Sequence, residues 1–233
     1  MGEECDRRFA MVNYTHLYIL VEGDAEQRFV EKTLKNYLFN RQIVAYSIKV
    51  RTSKGQSGGM TNYIRVKNDI ARIVKTHPSA YISTMFDLYG LPNDFPKYET
   101  AQLISDPYKK VALLEKSLKE DIYHHLFIPY IQLHEFETLL LANPDNILKI
   151  YPDQQKAVAE LKKIITQNNN NPEKVNGGKH TNPSKRIIDL IKVYKRNKST
   201  DGVYLADVNF EAALQNCQHF REWVDRLCNI VTI

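Results

Sequence analysis

The sequence predicts an α/β fold in which a parallel sheet is flanked by helices and followed by a C-terminal helical appendage. Within residues 14–145, short segments rich in strand-forming residues alternate with segments of helical periodicity. This β-α-β-α-β-α-β-α order is typical of parallel sheets with right-handed crossover connections. The strand segments are apolar at most positions, as expected of strands that helices cover on both faces.

Four strands and four helices are predicted in this core. The strands are expected at His16–Val21, Gln42–Val50, Ala80–Phe86 and Leu126–Leu133. The helices are expected at Ala25–Phe39, Asn62–Lys75, Pro107–Ile122 and Thr138–Ala142. Asp24 is expected to cap the first helix, and Pro107 suits the first position of the third.

Residues 146–233 are predicted to form a helical extension packed on the core. Helices are expected at Asp153–Thr166, Pro183–Lys195 and Asn209–Leu227. Between the first two, residues 167–182 are polar and include four consecutive asparagines, a composition that favours a loop or linker.

Composition argues against several classes of protein. Hydrophobic residues make up 43% and charged residues 25%, as in globular rather than disordered chains. The three cysteines are widely spaced, which suggests neither a disulfide framework nor a zinc site. No signal peptide or membrane-length apolar run is visible, so a cytoplasmic protein is expected. The formal charge of +5 permits nucleic-acid binding without establishing it.

Acidic side chains follow three of the predicted strands. Glu22 follows the first strand, Asp87 the third, and Glu135 and Glu137 the fourth. Ligands of open α/β sheets gather at this carboxyl edge. Carboxylates close together raise one another's pKa, and a divalent cation such as Mg²⁺, which prefers oxygen ligands, removes that conflict. For each residue alone, the alternative is a solvated carboxylate in a turn or first helical turn.

The order of the residues leaves two questions open at the fourth strand. On a continued strand Glu135 and Glu137 would share a face, whereas on a helix they would diverge. His134 has the chemistry for proton transfer, but a hydrogen-bonded structural histidine is the favoured interpretation.

Basic and glycine residues are candidates for binding a substrate phosphate. Lys54 precedes a glycine-rich segment with Gly58 and Gly59, whose backbone N–H groups suit close approach to a phosphate. Lys185 and Arg186 begin a predicted helix, where a bound phosphate would relieve the unfavourable placement of two cations. A solvated basic turn is the alternative for this pair.

Several of these segments also resemble a known family. Val21-Glu22-Gly23-Asp24-Ala25-Glu26 resembles the opening motif of the TOPRIM fold of topoisomerases, primases and overcoming-lysogenization-defect (OLD) type nucleases. Together with Phe86–Pro92, Gln132–Glu137 and Pro183–Arg186, it is similar to a bacterial TOPRIM-like domain family of unknown function. The resemblance extends from about residue 16 to residue 227.

This resemblance implies a TOPRIM-like, Rossmann-like core and a nuclease that uses Mg²⁺ or Mn²⁺ to hydrolyse DNA or RNA. It also implies an ABC- or SMC-like ATPase partner in anti-phage defence. The metal ligands expected from the strand ends and the family motif are Glu22, Asp87, Glu135 and Glu137, and Lys185 joins them as a catalytic residue.

One position departs from the TOPRIM pattern. TOPRIM proteins usually carry Asp-x-Asp after the third strand, and Tyr89 stands here in place of the second aspartate. Two-metal chemistry is therefore in doubt unless Glu135 or Glu137 substitutes, and the resemblance to variant relatives favours Glu137. The departure also motivates an alternative, a catalytically degenerate sensor or regulatory subunit bound to the ATPase.

Overall fold

A parallel sheet lies at the centre of the computed structural model, which describes residues 13–50, 60, 62–175 and 181–231. The strands are β1 (Thr15–Val21), β2 (Ile43–Lys49), β3 (Tyr81–Asp87), β4 (Phe127–Ile128) and β5 (Ile131–Gln132). Their order is β2-β1-β3-β4, β5 also pairs with β3, and every pairing is parallel. The predicted parallel α/β sheet flanked by helices is confirmed.

Helices cover both faces of this sheet. The α-helices are α1 (Asp24–Phe29), α2 (Lys35–Phe39), α3 (Tyr63–Thr76), α4 (Tyr98–Gln102), α5 (Pro107–Ile122), α6 (Gln155–Gln167), α7 (Pro183–Leu190), α8 (Tyr194–Val208), α9 (Phe210–Asn216) and α10 (Gln218–Cys228). A π-helical segment, Val30–Leu34, joins α1 to α2. Short 3₁₀ segments lie at Leu88–Gly90, Phe136–Ala142, Pro144–Lys149 and Pro172–Lys174. None of the helices in the described ranges is long and apolar enough to cross a membrane.

Short polar side chains set the first turns of three helices. Asn62 caps α3, Asp106 caps α5 and Asn182 caps α7, each by accepting a hydrogen bond from the backbone N–H three residues later. Such caps satisfy one of the N–H groups that a helix leaves unpaired at its start.

Two clusters of buried side chains hold the helices on the sheet. Because successive residues of a strand point to opposite faces, β1 contributes to both clusters. Leu17 packs with α1 and with the C-terminal helices, through residues such as Leu227. Leu20 packs on the opposite face, together with Phe86, against α3 and α5. The helices after residue 145 therefore supply one face of the core.

Trp223 of α10 is the largest buried side chain that connects these helices to the sheet. It is fully buried and stacks on Tyr130, with ring centroids 4.2 Å apart. Its indole Nε1 donates a hydrogen bond of 2.9 Å to Ser83 Oγ on β3. Ser83 Oγ in turn donates to the Ile128 carbonyl at 2.6 Å. The contact combines a large apolar surface with a satisfied polar end.

The fourth predicted strand is the first of several differences from the sequence-based expectations. It is two short strands, β4 and β5, separated at Pro129, which has no N–H for a strand ladder. Tyr130 N instead donates to the Thr84 side chain at 2.9 Å. The helix expected at Thr138–Ala142 is a 3₁₀ segment.

The helix boundaries also differ. Gly23, not Asp24, is the N-cap of α1, and Asp24 pairs with Lys49 at 2.5 Å. The helix expected at Pro183–Lys195 ends at Leu190, and the following α8 was not predicted. The last predicted helix is divided at Cys217 into α9 and α10.

Replacing Trp223 by alanine is predicted to lower the free energy of unfolding by about 3–5 kcal/mol, because it removes a large buried ring and leaves a cavity. Urea unfolding followed by circular dichroism measures this, since the chain has one tryptophan and the variant loses that fluorophore. Leu103→Ala is the control. Because Leu103 is 87% exposed, this substitution should lower the free energy of unfolding by no more than about 0.5 kcal/mol. Equal costs for the two variants would contradict the prediction.

Candidate active site

Glu22 and Asp87 lie at the carboxyl edge of the sheet because β1 and β3 are adjacent parallel strands. Val21, the last residue of β1, is level with Met85 near the end of β3, so Glu22 and Asp87 emerge at the same edge of the sheet. Glu22 Oε2 and Asp87 Oδ1 are buried and have no hydrogen-bond partner among the described residues. Unpaired buried carboxylate oxygens are costly, which marks this edge as a place prepared for a ligand.

Three further carboxyl groups surround this pair. Burial raises the pKa of Asp87 well above its usual value, and so do, in decreasing order, the charges of Glu26, Glu22, Glu137 and Glu135. These five residues are called the carboxylate cluster below. The structure thus brings together the four carboxylates predicted from sequence and adds Glu26, which is 7% exposed on α1.

Glu22 titrates near neutral pH in this surrounding. Burial, followed by the charge of Glu26, raises its pKa to about 7, while backbone hydrogen bonds from Asp87 and Met60 act in the opposite direction. A carboxyl group with this pKa exchanges its proton at physiological pH, as groups at functional sites often do.

Gly90 allows the Glu22 carboxyl group to reach its position. It ends the 3₁₀ segment that follows β3, and a Cβ built on it would lie 2.2 Å from Glu22 Oε2 and 2.3 Å from Oε1. Carbon and oxygen atoms do not approach so closely without a bond, so a side chain at this position would displace the carboxyl group.

Lys198 of α8 supplies a positive charge to the cluster. Its Nζ lies 2.9 Å from Glu137 Oε1, with the lysine side chain 47% exposed and the glutamate 2% exposed. Tyr194 also donates to Glu137 Oε1, at 3.2 Å. Burial lowers the pKa of Lys198, but Glu137, together with the charges of Glu135 and Asp87, leaves that pKa raised. Lys198 is therefore charged at neutral pH.

Glu135 is held at the start of α7. Its Oε2 accepts a hydrogen bond of 3.0 Å from Ser184 N, while burial and then the charge of Glu137 raise its pKa. Glu135 thus provides, from within the protein, the negative charge that the sequence analysis assigned to a phosphate at this helix start.

Lys185 and Arg186 are engaged outside the cluster. Lys185 Nζ lies 3.2 Å from Asp189 of the same helix, and Arg186 Nε donates to the Thr181 carbonyl at 2.7 Å. Their predicted roles in catalysis and phosphate binding stay predictions. Lys54, Gly58 and Gly59 lie outside the described residues, so their predicted role is untested as well.

His134 has a structural environment, as favoured from sequence. It is 1% exposed and has a left-handed φ of 66°. Its Nε2 lies 2.9 Å from the Glu173 carbonyl, which can only accept, and its Nδ1 lies 3.3 Å from the Tyr89 hydroxyl. Nε2 is therefore the donor and Nδ1 the acceptor. Burial lowers the pKa of His134 to about 4, so the ring is neutral at pH 7.

Two members of the site were missed from sequence. Glu26 belongs to the opening motif but was not predicted as a site residue. Its spacing from Glu22 places it about one helical turn further along the chain. Lys198 follows the run Lys195-Arg196-Asn197, which has no apolar periodicity to predict a helix. No local signal could have placed it beside Glu137.

The donor atoms fit a divalent cation held by two protein carboxylates. In the described part of the chain, no three or more His, Cys, Asp or Glu side chains are already arranged to hold a metal ion. Mg²⁺ is commonly bound through one or two carboxylates, with water and substrate phosphate completing its shell. The unpaired oxygens of Glu22 and Asp87 suit that arrangement. Glu135 accepts a hydrogen bond from Ser184 N and Glu137 pairs with Lys198, so their role as metal ligands stays a prediction.

The chain was also compared with known proteins. The model of a family described as a domain of unknown function, DUF4276, matches residues 21–228. A solved structure of the C-terminal region of the Xanthomonas campestris pv. campestris OLD protein aligns with 93% of this chain and 95% of its own, at 15% identity and a TM-score of 0.44. This likeness is too low to carry an argument about function. No curated protein matches the chain.

Glu22→Gln is predicted to stabilise the metal-free protein at alkaline pH. A folded-state pKa of about 7, against an ordinary value of 4.5, means that the folded protein binds this proton more tightly. That stabilisation is complete below about pH 4.5 and is lost as the pH rises through about 7. Glutamine mimics the protonated group, so the variant should be about 3 kcal/mol more stable than the wild type at pH 8 and less than about 1 kcal/mol more stable at pH 5.

Denaturant unfolding in EDTA at both pH values measures this difference. Glu99→Gln, at an exposed position away from the cluster, is the control and should leave the free energy of unfolding unchanged at both pH values. If Glu22→Gln followed the same pH dependence as the wild type, the assigned pKa would be wrong.

Gly90→Ala is predicted to destabilise the protein by about 1–3 kcal/mol, because the new methyl group overlaps the Glu22 carboxyl group. In a Glu22→Ala background the overlap is absent, and the cost should fall by about 1 kcal/mol or more. Unfolding measurements on the four proteins of this double-mutant cycle give the coupling. The same cost in both backgrounds would show that the two residues do not interact.

Proposed function

The chain belongs to the DUF4276 family, and we propose that it is a Mg²⁺-dependent phosphodiester hydrolase that acts on DNA or RNA. The observation that carries the proposal is the pair of unpaired, buried carboxylate oxygens of Glu22 and Asp87 at the carboxyl edge of the sheet. This edge is where ligands of open α/β sheets bind. These oxygens lack a partner among the described residues, and a cation that also binds phosphate oxygens would satisfy both of them.

Glu22 and Asp87 would hold the ion in this function. Bound there, Mg²⁺ or Mn²⁺ would polarise a phosphoryl oxygen and lower the pKa of water. The carboxyl groups themselves must be ionised to bind a cation, and Glu22 loses its proton near pH 7. Activity should therefore increase as the pH rises through neutrality.

Lys198 is the residue that would neutralise phosphate charge. It is charged and partly exposed, and it lies against the buried Glu137. A fixed cation beside the reacting phosphate stabilises the charge that develops in phosphoryl transfer. We keep Lys54 and Arg186 as proposed contacts to more distant phosphates, because long basic side chains position a nucleic-acid backbone.

An ABC- or SMC-like ATPase is the partner that the TOPRIM resemblance implies, and we propose an effector role with such a partner in anti-phage defence. Co-expression with a neighbouring ATPase gene and affinity purification of the complex tests this part separately from catalysis.

One observation favours a second candidate, a catalytically degenerate regulatory subunit. Glu137 is already paired with Lys198, and no three carboxylates converge as ready-made ligands in the described residues. Mn²⁺ titration by calorimetry separates the two candidates, because a degenerate site should take up no ion at millimolar concentration. Binding that Glu22→Gln and Asp87→Asn both abolish supports the hydrolase.

The hydrolase is tested by incubating purified protein with plasmid DNA and with single-stranded RNA in Mg²⁺ or Mn²⁺. Glu22→Gln, Asp87→Asn and Lys198→Gln are each expected to reduce cleavage about a hundredfold or more, since each removes a charge from the reacting centre. Lys195→Gln is the matched control, because Lys195 is exposed on the same helix as Lys198. Cleavage that survives Glu22→Gln unchanged would exclude the proposal.

A further inference from the structure

A polar pocket of about 330 Å³ adjoins the carboxylate cluster without being part of it. Its lining residues are Leu88, Tyr89, Ser105, Asp106, Pro107, Lys110, His134 and Lys174. The volume is at the lower end of the range of about 300–1,000 Å³ that is typical of small-ligand sites. A larger pocket, of about 760 Å³, lies away from the carboxylate cluster, since its lining includes Tyr81 at the amino end of β3.

The wall of this pocket is continuous with the site. Leu88 directly follows Asp87 of the cluster, and His134 directly precedes Glu135. Tyr89 N also donates to the His134 carbonyl at 3.3 Å, which joins the two sides of the wall. Since consecutive Cα atoms are about 3.8 Å apart, a ligand in the pocket would lie next to a phosphate at the cluster.

The pocket contains two lysines, Lys110 and Lys174. No salt bridge of Lys110 or Lys174 occurs among the described residues, whereas Lys198 and Lys185 are both paired with carboxylates. Asp106 is the acidic residue of the lining, and it caps α5 by accepting from Lys109 N at 2.9 Å. Two lysines against one aspartate make the lining cationic, which suits an anion.

An aromatic ring lies beside these lysines. Tyr89 is 43% exposed and packs on His134, with ring centroids 5.7 Å apart and an angle of 30° between the planes. The hydrogen bond between the Tyr89 hydroxyl and His134 Nδ1 fixes the orientation of the ring. An exposed aromatic ring that is held in place can stack on any nucleobase, because every base has a π face.

We infer that this pocket binds the nucleotide next to the scissile phosphate, with its base on the Tyr89 ring and its phosphate held by Lys110 and Lys174. The inference rests on the proposed function and narrows its substrate class. A base can stack on a side chain only when it has left its own helix stack. The preferred substrate is therefore single-stranded, or unpaired at the point of cleavage.

Binding measured without metal tests the pocket independently of catalysis. The probes are fluorescently labelled single strands of DNA and RNA of about twelve nucleotides, in EDTA, followed by fluorescence anisotropy. Tyr89→Leu should weaken binding about tenfold, while Tyr89→Phe, which keeps the ring, should bind nearly as the wild type does. Lys110→Gln and Lys174→Gln should each weaken binding about threefold or more and lower the salt dependence by about one counterion.

Two matched variants control for general effects on the surface. Tyr204→Leu removes a tyrosine that is 40% exposed on α8, and Lys116→Gln removes an exposed lysine of α5 that is not in the pocket. Both should bind the single strands as the wild type does. Circular dichroism confirms that each variant is folded.

Wild-type binding by Tyr89→Leu overturns the inference, and so does an equal dependence of duplex binding on Tyr89. A wild-type protein that binds through Tyr89 but cleaves no substrate would refute the hydrolase while supporting the pocket. A protein that cleaves nucleic acid without dependence on Tyr89 would support the hydrolase while refuting the role of the pocket.

Discussion

Mutual repulsion among the buried carboxyl groups at the carboxyl edge of the sheet is the constraint that organises this protein. Two of these groups end adjacent strands, and a third is one helical turn beyond the first strand. The protein offsets the repulsion by raised pKa values at Glu22 and Asp87, by a lysine beside Glu137, and by a backbone N–H group at Glu135. Within the described part of the chain, Glu22 Oε2 and Asp87 Oδ1 still lack a hydrogen-bond partner, and this pair of oxygens suits a cation.

The C-terminal helices are part of this solution. α7 contributes the backbone donor for Glu135, and α8 contributes Lys198 and Tyr194 to Glu137. α10 fixes the group of helices to the central strands through Trp223. The helices thus complete the electrostatics of a site whose acidic residues all precede them in the chain, at or before Glu137.

The alternation of strands and helices and the edge at which acids gather could be predicted because both depend on local pattern. Apolar runs predicted β1 and β3, alternating apolar and polar residues predicted β2, and the polar residues at the ends of β1 and β3 identified Glu22 and Asp87. Contacts that depend on distant parts of the chain had no such signal. Lys198 lies 61 positions after Glu137 in a polar segment, and the pairing of Glu135 with Ser184 depends on how α7 docks. The division of the fourth strand could have been anticipated from Pro129 alone.

The contact between Gly90 and Glu22 has a consequence for how such a chain can evolve. The carboxyl group occupies the space that any side chain at position 90 would need, so the two positions cannot drift independently. A lineage that keeps the glutamate carboxyl group at this place is favoured to keep the glycine, and a lineage that loses the glutamate is released from that pressure. A side chain at position 90 in a relative would therefore mean that its carboxyl group does not occupy the place that it holds here.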